Sequence, residues 1–560
     1  MRETSATSTI VAEVVCMFLK RTRVRSGGQV YTYAQLVESY WDKGKPRHRV
    51  IANLGRLDRL DPESMARLVE SLAGLTDRVA VVRGPGDVRS RGGKVYGSTW
   101  ALERLWEKLG LGFWFRELAR DRKISFDLDA AVRAMVFARL HTPSSERKVC
   151  DWLRTAHVEG AGGLSLHHLY RALDVLYHVW PRLEPKLLPA LGQLVAVDAS
   201  LCLFDTTSVY FEGDGPEGLA EFGYSRDRRP DKRQLVLGLM TTREGLPVGH
   251  LTLPGSTADL RSLEEAVRSL LGRVPATKPI LVLDRGMVSE ANLAKLADAG
   301  WQYIVGMKLR QHVARRALGR PGRYAKVCEN LYVKEVAWEN GPPGERLIVC
   351  YNPLEAKVDA EARRRMVSQL EEMAGDGDGI PRRLLRSGAA RRYLKVEGGK
   401  VRLDRAKIRE DARYDGKWVL RTNCELPPGQ VAQHYKGLWR VERAFRTIKS
   451  PLEVHPVYHW TERRVRAHVA VCVLAYTLLR LIEMLCQQAG LQISGEEAVR
   501  KLSGITRNEI EVGPLAFWVR SELAPEHETI FRALHVPLPP AGGNETAADS
   551  GKVASAAERN

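Results

Sequence analysis

The order of apolar and polar positions between residues 194 and 310 predicts alternating strands and helices. Two β-rich segments come first: LVAVDASLCLFDTTSVYFEG, then RQLVLGLMTTREGLPVGHLTLPGS, in which a Glu-Gly turn separates two strands. An amphipathic helix (LRSLEEAVRSLLGRV), a short apolar strand (ILVL), a helix from Ser289 to Gly300 and a fifth strand (WQYIVGMKL) follow. This order predicts an α/β fold built on a mixed five-stranded sheet with flanking helices.

Patterns outside this segment divide the chain into further regions. Residues 1–96 mix strand-like and helical pieces, with one helix expected to begin at Pro62 behind the cap Asp61, and residues 97–193 are helical. Residues 311–425 lose the α/β rhythm and combine basic clusters with β-like pieces, which indicates an inserted subdomain. Apolar helices return over 426–490, a C-terminal region spans 491–537, and residues 538–560 have the composition of a disordered tail.

The composition of the chain indicates which class of partner it binds. The chain has 560 residues, too many for one core, and its 86 Lys+Arg against 67 Asp+Glu give a net charge of +19 and a pI near 9.6. Such an excess favours a polyanionic partner, above all nucleic acid. Arg47, His48, Arg49 and Arg56 make residues 1–96 a candidate DNA-contacting module, although a solvated basic face would look the same.

Cysteine usage and the apolar runs favour a cytoplasmic protein. The eight cysteines lie far apart without a CxxC pair, so they predict buried free thiols rather than a zinc site or a disulfide framework. The chain does not open with a secretory signal pattern. Its longest apolar run, Val469 to Leu479, is too short to cross a bilayer and predicts a core helix.

The segment YKGLWRVERAFRTIK places a single acid among cations on a predicted helix. Tyr435, Glu442 and Lys449 are seven residues apart, so a continuous helix would set them on one stripe with Leu438 and Phe445. Arg440, Arg443 and Arg446 flank this stripe. Glu442 could form an i,i+4 ion pair with Arg446, worth about 0.2–0.5 kcal/mol. It could instead hold a metal ion while the cations bind a phosphodiester.

Two other carboxylates favour the metal interpretation. Asp205 lies within the first predicted strand, where a charge is costly unless it is paired or bound to a metal. Asp284 follows ILVL, at the strand end where open α/β sheets place their ligands; its alternative role is a helix cap, which Ser289 makes less necessary. Oxygen ligands at these three places suit two Mg²⁺ ions that activate an attacking oxygen and stabilise a leaving one.

Other acids, histidines and tryptophans compete for these roles. Asp198 also follows an apolar run, but on a continuous strand an even-numbered side chain faces away from Asp205. Loop positions are expected for three further aspartates, of which the last could support the site from outside: Asp227, Asp231 and Asp259. His455 and His459 are either surface residues or DNA contacts, and core packing is expected for Trp439 and Trp460, with base stacking as the alternative.

FDTTSVYFEG, LVLDRGMVS and YKGLWRVERAFRTIK together resemble the three signature regions of the DDE transposases of bacterial insertion sequences. They are most similar to the branch with a Y-x2-R-x3-E-x6-K helix and a β-strand insertion before the glutamate. The resemblance covers roughly 195–310 and 425–480, and the N-terminal YTYAQLVESYWDKGKPRHRVIANLGRLD is also similar to that branch.

The resemblance implies a catalytic triad of Asp205, Asp284 and Glu442 that binds two Mg²⁺ or Mn²⁺ ions, on a ribonuclease H-like core. It places Tyr435 and Lys449 at the outer positions of the motif, while Leu438 stands where the motif has arginine. Tyr435, Arg440, Arg446 and Lys449 would then contact DNA phosphates, with Arg440 in place of the missing arginine.

The implied activity is transposition: metal-dependent cleavage at the ends of a transposon and strand transfer into target DNA. Double-stranded DNA, both terminal inverted repeats and target, is the expected partner, with a homodimer on paired ends. No P-loop motif is present, so no nucleotide cofactor is expected. Two alternatives stay open, a ribonuclease H-like nuclease or resolvase and a transposase-derived DNA-binding protein without catalysis.

Overall fold

The computed structural model describes residues 16–42, 45–75, 79, 81–82, 84–143, 145–270, 279–287, 289–309, 311–338, 341–374, 387–397, 400–513 and 515–544. The strands are β1 (Cys16–Ser26), β2 (Gln29–Asp42), β3 (Lys45–Arg56), β4 (Val88–Val95), β5 (Leu201–Tyr210), β6 (Gln234–Thr242), β7 (Pro247–Pro254), β8 (Ile280–Leu283), β9 (Gln302–Gly306), β10 (Ala325–Cys328), β11 (Leu331–Ala337), β12 (Arg346–Tyr351), β13 (Leu394–Glu397), β14 (Lys400–Leu403), β15 (Lys417–Thr422), β16 (Thr506–Val512), β17 (Leu515–Arg520) and β18 (Gly542–Asn544).

The helices are α1 (Pro62–Ala73), α2 (Gly97–Lys108), α3 (Leu111–Ala119), α4 (Leu128–His141), α5 (Glu146–Trp152), α6 (Leu166–Gly192), α7 (Asp259–Ser269), α8 (Glu290–Asp298), α9 (His312–Gly319), α10 (Pro353–Ala374), α11 (Gly388–Arg391), α12 (Arg405–Asp411), α13 (Pro428–Lys436), α14 (Trp439–Lys449), α15 (Glu462–Gln488), α16 (Gly495–Leu502) and α17 (Pro525–Ala533).

The chain divides into two compact units. The smaller one comprises residues up to Gly92 together with 508–519 and 542–544, and it holds the antiparallel sheet β1-β2-β3 and the helix α1. The predicted start of that helix is confirmed, since the Asp61 carboxylate accepts a hydrogen bond from the Ser64 N–H and Pro62 is the first helical residue. Residues 1–96 are otherwise mainly β-structure.

The larger unit is built on a nine-stranded sheet of order β10-β11-β12-β15-β9-β8-β5-β6-β7. The five strands predicted from 194–310 are all present: β5, β8 and β9 are parallel, β6 is antiparallel to β5, and β7 is antiparallel to β6. Gly245, which adopts a φ of +86°, forms the predicted turn between β6 and β7.

Four strands from the predicted insertion continue this sheet, and only the hairpin of β13 and β14 forms a separate one among the described residues of 311–425. β15 pairs with β9, and β12, β11 and β10 follow outward. Arg421 of β15 is 2% exposed and binds Glu345 and Glu290 of the neighbouring elements, so charged groups also hold the added strands to the core. α10 and the β13–β14 hairpin bury a small cluster of their own around Leu370 and Tyr393.

Two apolar cores cover the two faces of the sheet. Alternate residues of β5 divide between them: Leu201 and Leu203 belong to the core with α13, α14 and α15, whereas Cys202 and Phe204 belong to the core with α7 and α8. α15 is the one described helix long and apolar enough to cross a membrane, but 94% of its most apolar window is buried inside the protein. It is the predicted core helix.

Two further expectations concern the C-terminal tail and the cysteines. The predicted tail 538–560 begins with described residues, including the short strand β18, and its remainder from 545 lies outside the described residues. The cysteines whose side chains the structure describes are free, as predicted, but the expectation of burial is wrong for the exposed Cys328 and only partly met by the half-buried Cys150.

Candidate active site

Asp205 lies in the middle of β5 on the face that α14 covers. Leu201 and Leu203, four and two residues before it, pack into the core beneath that helix, and alternation places Asp205 on the same face. The carboxylate accepts a hydrogen bond from the Thr206 N–H at 2.7 Å. The Arg226 guanidinium lies 3.7 Å from the carboxylate, so a cation partly offsets the charge within the sheet.

Asp284 directly follows β8, the strand next to the one that carries Asp205. β5 and β8 pair in parallel up to Phe204 opposite Leu283, and the two acids are the residues that come directly after this last pair. Adjacent strands are about 4.8 Å apart, so the two carboxylates start from neighbouring positions. Val282 packs on the α14 side, which by alternation places Asp284 on that face too. The sequence predictions of a mid-strand acid and an acid at a strand end are both confirmed.

Tyr435 reaches Asp284 across the backbone of β9. Its hydroxyl donates a hydrogen bond to the Asp284 carboxylate at 3.3 Å. Burial, and then the nearby charge of Asp284, raise the pKa of Tyr435, so the phenol stays a donor. Gly306 makes the approach possible, since a Cβ at that position would lie 2.2 Å from the Tyr435 hydroxyl oxygen.

The predicted continuous helix from Tyr435 to Lys449 is wrong. Tyr435 lies in the last turn of α13, Glu442 and Lys449 belong to α14, and a tight turn at Gly437 and Leu438 separates the two helices. There the Leu438 N–H bonds to the Tyr435 carbonyl three residues back. Glycine permits this turn, because a Cβ on Gly437 would lie 2.8 Å from the His434 carbonyl oxygen.

Glu442 extends from α14 as an exposed carboxylate. The helix packs on β5 through an apolar stripe of Val441, Ala444, Phe445 and Ile448, and Glu442 lies beside that stripe. Within the described part of the chain, Glu442 makes neither a hydrogen bond nor an ion pair, and so the alternative of an ion pair with Arg446 is wrong. The carboxylate is available to a ligand.

Lys449, seven residues after Glu442, is held by an acid from the loop between β5 and β6. Its ammonium lies 2.7 and 2.9 Å from the two oxygens of Asp227, and burial lowers the pKa of Lys449. Ser208 of β5 donates to the same carboxylate at 3.0 Å. This loop therefore delivers Arg226 to Asp205 and Asp227 to Lys449.

Sequence reasoning missed Arg226 and the role of Asp227. A signal exists in YSRDRRPDKR, since a serine, arginine and aspartate follow closely behind the strand that carries Asp205. Asp227 was predicted only as a loop residue. Asp198 precedes β5 and bonds to Ser200 in a local turn, so it is no alternative within the strand. Asp231 pairs with Arg229, and the side chain of Asp259 lies outside those that the structure describes.

The cations predicted around Glu442 occupy different sides of α14. Arg446 is exposed, whereas Arg440 lies about 160° around the helix from Glu442. The Arg440 guanidinium lies over the Trp439 ring, and burial together with Arg243 and Arg480 lowers the pKa of Arg440. Leu438, at the arginine position of the motif, is 9% exposed and packs into the core. In this structure Arg440 does not join the acids.

Trp439 and Trp460 are 51% and 65% exposed, so the expectation of core packing is wrong for both. His459 is buried beside Glu146, with 3.3 Å between ring nitrogen and carboxylate. Glu146, His459 and His468 are close enough to suggest a metal site. However, Nδ1 of His468 faces the Arg139 guanidinium at 3.3 Å and Nε2 faces the Val454 carbonyl at 3.0 Å, so neither nitrogen has a lone pair to give. This cluster fits an internal polar network.

The donor set at Asp205, Asp284 and Glu442 fits a divalent ion better. All three offer carboxylate oxygens, which hard cations prefer, and two of the three groups are exposed. The register of β5 and β8 brings the aspartates together, and α14 packs on the same face of the sheet.

Comparisons with known proteins place this arrangement in a family. The model of the transposase DDE domain matches residues 196–478, just over half of the 560 residues, and that of the IS1634 family transposase N-terminal domain matches residues 19–81. No curated protein matches the chain. A solved piggyBac transposase synaptic complex with hairpin DNA shares 9% identity over 72% of this chain and 78% of that chain, with a TM-score of 0.35. The protein belongs to the DDE transposases of insertion sequences.

Proposed function

We propose that Asp205, Asp284 and Glu442 are the catalytic acids of this transposase and hold two divalent ions, Mg²⁺ or Mn²⁺. The observation that supports the proposal is the parallel register of β5 and β8, whose last pair, Phe204 and Leu283, directly precedes the two aspartates, while α14 packs on β5. When bound, two such ions activate the attacking oxygen and stabilise the leaving oxygen of a phosphodiester.

The remaining side chains position the acids and the DNA. Tyr435 orients the Asp284 carboxylate through its hydrogen bond. Lys449, held by Asp227, contacts the phosphate beside the acids, and the exposed Arg446 of the same helix contacts the DNA backbone. Arg440 lies farther around the helix and contacts a more distant phosphate. These roles extend the proposal beyond the triad.

The reaction proposed is cleavage at each transposon end followed by strand transfer. A water molecule attacks the phosphodiester in line and frees a 3′-OH, which then attacks a phosphodiester of the target DNA. One phosphodiester replaces another in the second step, so no nucleotide cofactor is needed. The proposed substrates are the terminal inverted repeats and the target duplex. We further propose that the chain acts as a homodimer on paired ends and that its catalytic core is ribonuclease H-like. The mixed order β7-β6-β5-β8-β9 supports that core.

Glu442→Gln tests the proposal. The amide keeps the shape of the side chain but loses the charge that offsets two cations, so end-DNA binding should persist while Mg²⁺- or Mn²⁺-dependent cleavage falls by orders of magnitude. Glu528→Gln is the matched control, because Glu528 is exposed on α17 and its charge change is the same. Asp205→Ala and Asp284→Ala should be equally inactive, and the effects should not add. Near wild-type nicking by Glu442→Gln would remove this glutamate from the triad.

The same assay separates the alternatives. Cleavage of end DNA without joining to target would favour a nuclease or resolvase. Binding without cleavage by the unmodified chain would favour a transposase-derived DNA-binding protein. Terminal inverted repeats in the DNA that flanks the gene would support mobility.

A further inference from the structure

The N-terminal sheet β1-β2-β3 exposes most of its residues on both faces. Its strands contain 11, 14 and 12 residues, yet among their described side chains only Ala34 and Val37 are buried. Register and alternation decide which side chains share a face. Phe18 of β1, Val37 of β2 and Val50 of β3 are mutually paired and form the centre of one face.

Arginines concentrate on the opposite face. Arg21, Arg23 and Arg25 alternate along β1 with Thr22 and Val24, so all three project to the same side. Arg21 pairs with Ala34, Glu38 pairs with Arg49, and Tyr40 pairs with Arg47, which puts the β3 arginines on that side as well. We call this surface, with Arg21, Arg23, Arg25, Arg47 and Arg49, the arginine face.

This register revises the predicted DNA-contacting set. Arg47, His48, Arg49 and Arg56 were grouped by sequence alone. His48 pairs with Ser39 and stacks edge-on against Phe18 at 5.2 Å, and Arg56 lies over the Tyr31 ring, so both belong to the other face.

Charge on the arginine face is only partly neutralised. Arg49 bonds to Glu38, and Arg47 lies 2.9 Å from Asp42. Arg21, Arg23 and Arg25 are exposed and make no ion pair with any residue that the structure describes. Holding three unpaired guanidinium groups in a row costs repulsion unless an anion shares the surface.

The dimensions of the arginine face suit a DNA groove. From Arg21 to Arg25 the strand advances about 13 Å, and β1 and β3 are two strand spacings, about 10 Å, apart. The major groove of B-DNA is about 12 Å wide and admits a β-ribbon. Planar guanidinium groups bind phosphate oxygens and guanine edges in bidentate geometry.

We propose that the arginine face is a duplex-DNA-binding surface that lies along the major groove, with Arg21, Arg23 and Arg25 on phosphates. The partner rests on the proposed function, whereas the surface is separate from the catalytic acids. If the arginine face bound an acidic protein instead, replacing its β1 arginines would leave the salt dependence of DNA binding unchanged.

The experiment measures binding of the full-length chain to an end-containing duplex between low and physiological salt. Each phosphate contact contributes about 0.9 to the log–log salt slope, so replacing all three β1 arginines by glutamine should reduce its magnitude by about 2.7. The control replaces Lys20, Arg59 and Arg67, three exposed cations of the same unit outside the arginine face, by glutamine. An unchanged slope in the β1 variant, or an equal loss in the control, would overturn the proposal.

A second variant acts in the opposite direction and guards against misfolding. Glu38→Gln frees Arg49 on the arginine face, so it should tighten binding and steepen the salt slope by about one. Weaker binding by this variant would contradict the proposal. Failure of the arginine-face proposal can be distinguished from failure of the catalytic proposal. The variant with all three β1 arginines replaced should still cleave end DNA at saturating protein concentration, whereas Glu442→Gln should bind end DNA without cleaving it.

Discussion

Gly306→Ala probes how closely Tyr435 approaches the sheet. A Cβ at Gly306 would lie 2.2 Å from the Tyr435 hydroxyl oxygen and 2.9 Å from the ring carbon that carries it. Both separations are too short for real atoms, so the phenol ring must move away. Gly306 does not adopt a positive φ, and alanine therefore fits the backbone of β9. The clash alone determines the effect.

The loss of stability in Gly306→Ala has two sources, overpacking and one lost hydrogen bond. Adding a methyl group to a well-packed site costs about 1–3 kcal/mol. A displaced Tyr435 also ceases to donate to Asp284, and a hydrogen bond to a charged group is worth about 1.5–3 kcal/mol. Some of that loss is recovered by water, because the Asp284 carboxylate is exposed. We expect a net destabilisation of about 1–3 kcal/mol and slower end cleavage.

A double-mutant cycle isolates the contact. Gly306→Ala is measured by thermal unfolding and by Mn²⁺-dependent cleavage, first in the unmodified chain and then in a Tyr435→Ala background. Removing the ring removes the clash, so in that background Gly306→Ala should cost little stability and the coupling should be about 1–3 kcal/mol. Cleavage should stay slow, since the donor to Asp284 is absent in both variants.

Gly163→Ala serves as the control, because no atom lies within 4 Å of a Cβ placed there. If Gly306→Ala cost as much stability without the Tyr435 ring as with it, the steric account would be refuted. If Gly306→Ala slowed nothing, Tyr435 would not orient Asp284.

Two further substitutions test the cations beside the acids. Arg226→Gln removes the guanidinium that lies 3.7 Å from Asp205. No fixed cation then opposes the metal, so half-maximal cleavage should need a lower Mn²⁺ concentration. An unchanged or higher Mn²⁺ requirement would contradict this prediction. Lys449→Ala leaves the Asp227 carboxylate without its cation and should cost about 1–3 kcal/mol of stability. Adding Asp227→Asn should restore thermal stability but not end-DNA binding; recovery of binding would make Lys449 a structural partner only.

The sequence predicted those parts of the site that depend on local pattern. ILVL followed by Asp284 is a buried strand with a polar end, and β8 has the predicted bounds. The mid-strand position of Asp205 likewise followed from the β-rich segment around it. Local rules of alternation and strand length carry both inferences.

The parts of the site that depend on contacts between residues distant in sequence could not be predicted. Heptad spacing gives no sign of the turn at Gly437, because an isolated glycine is tolerated in helices and only the packed turn shows its use. The pairing of β15 with β9 joins residues over a hundred positions apart, and so the added strands read as a separate insertion. Arg226 reaches Asp205 through a loop whose path no periodicity describes.

The three acids differ in what offsets their charge, and this difference answers why a lone glutamate lies among cations on α14. Asp205 has the Thr206 N–H and Arg226, and Asp284 has the Tyr435 hydroxyl. Neighbouring carboxylates on adjacent strands repel, and these fixed donors reduce that cost in the folded chain. Glu442 has no such partner among the described residues, and α14 carries it in from a separate element. Replacing Glu442 by glutamine therefore removes no side-chain hydrogen bond or ion pair with any described residue, so we expect Glu442→Gln to keep the stability of the unmodified chain while it loses cleavage.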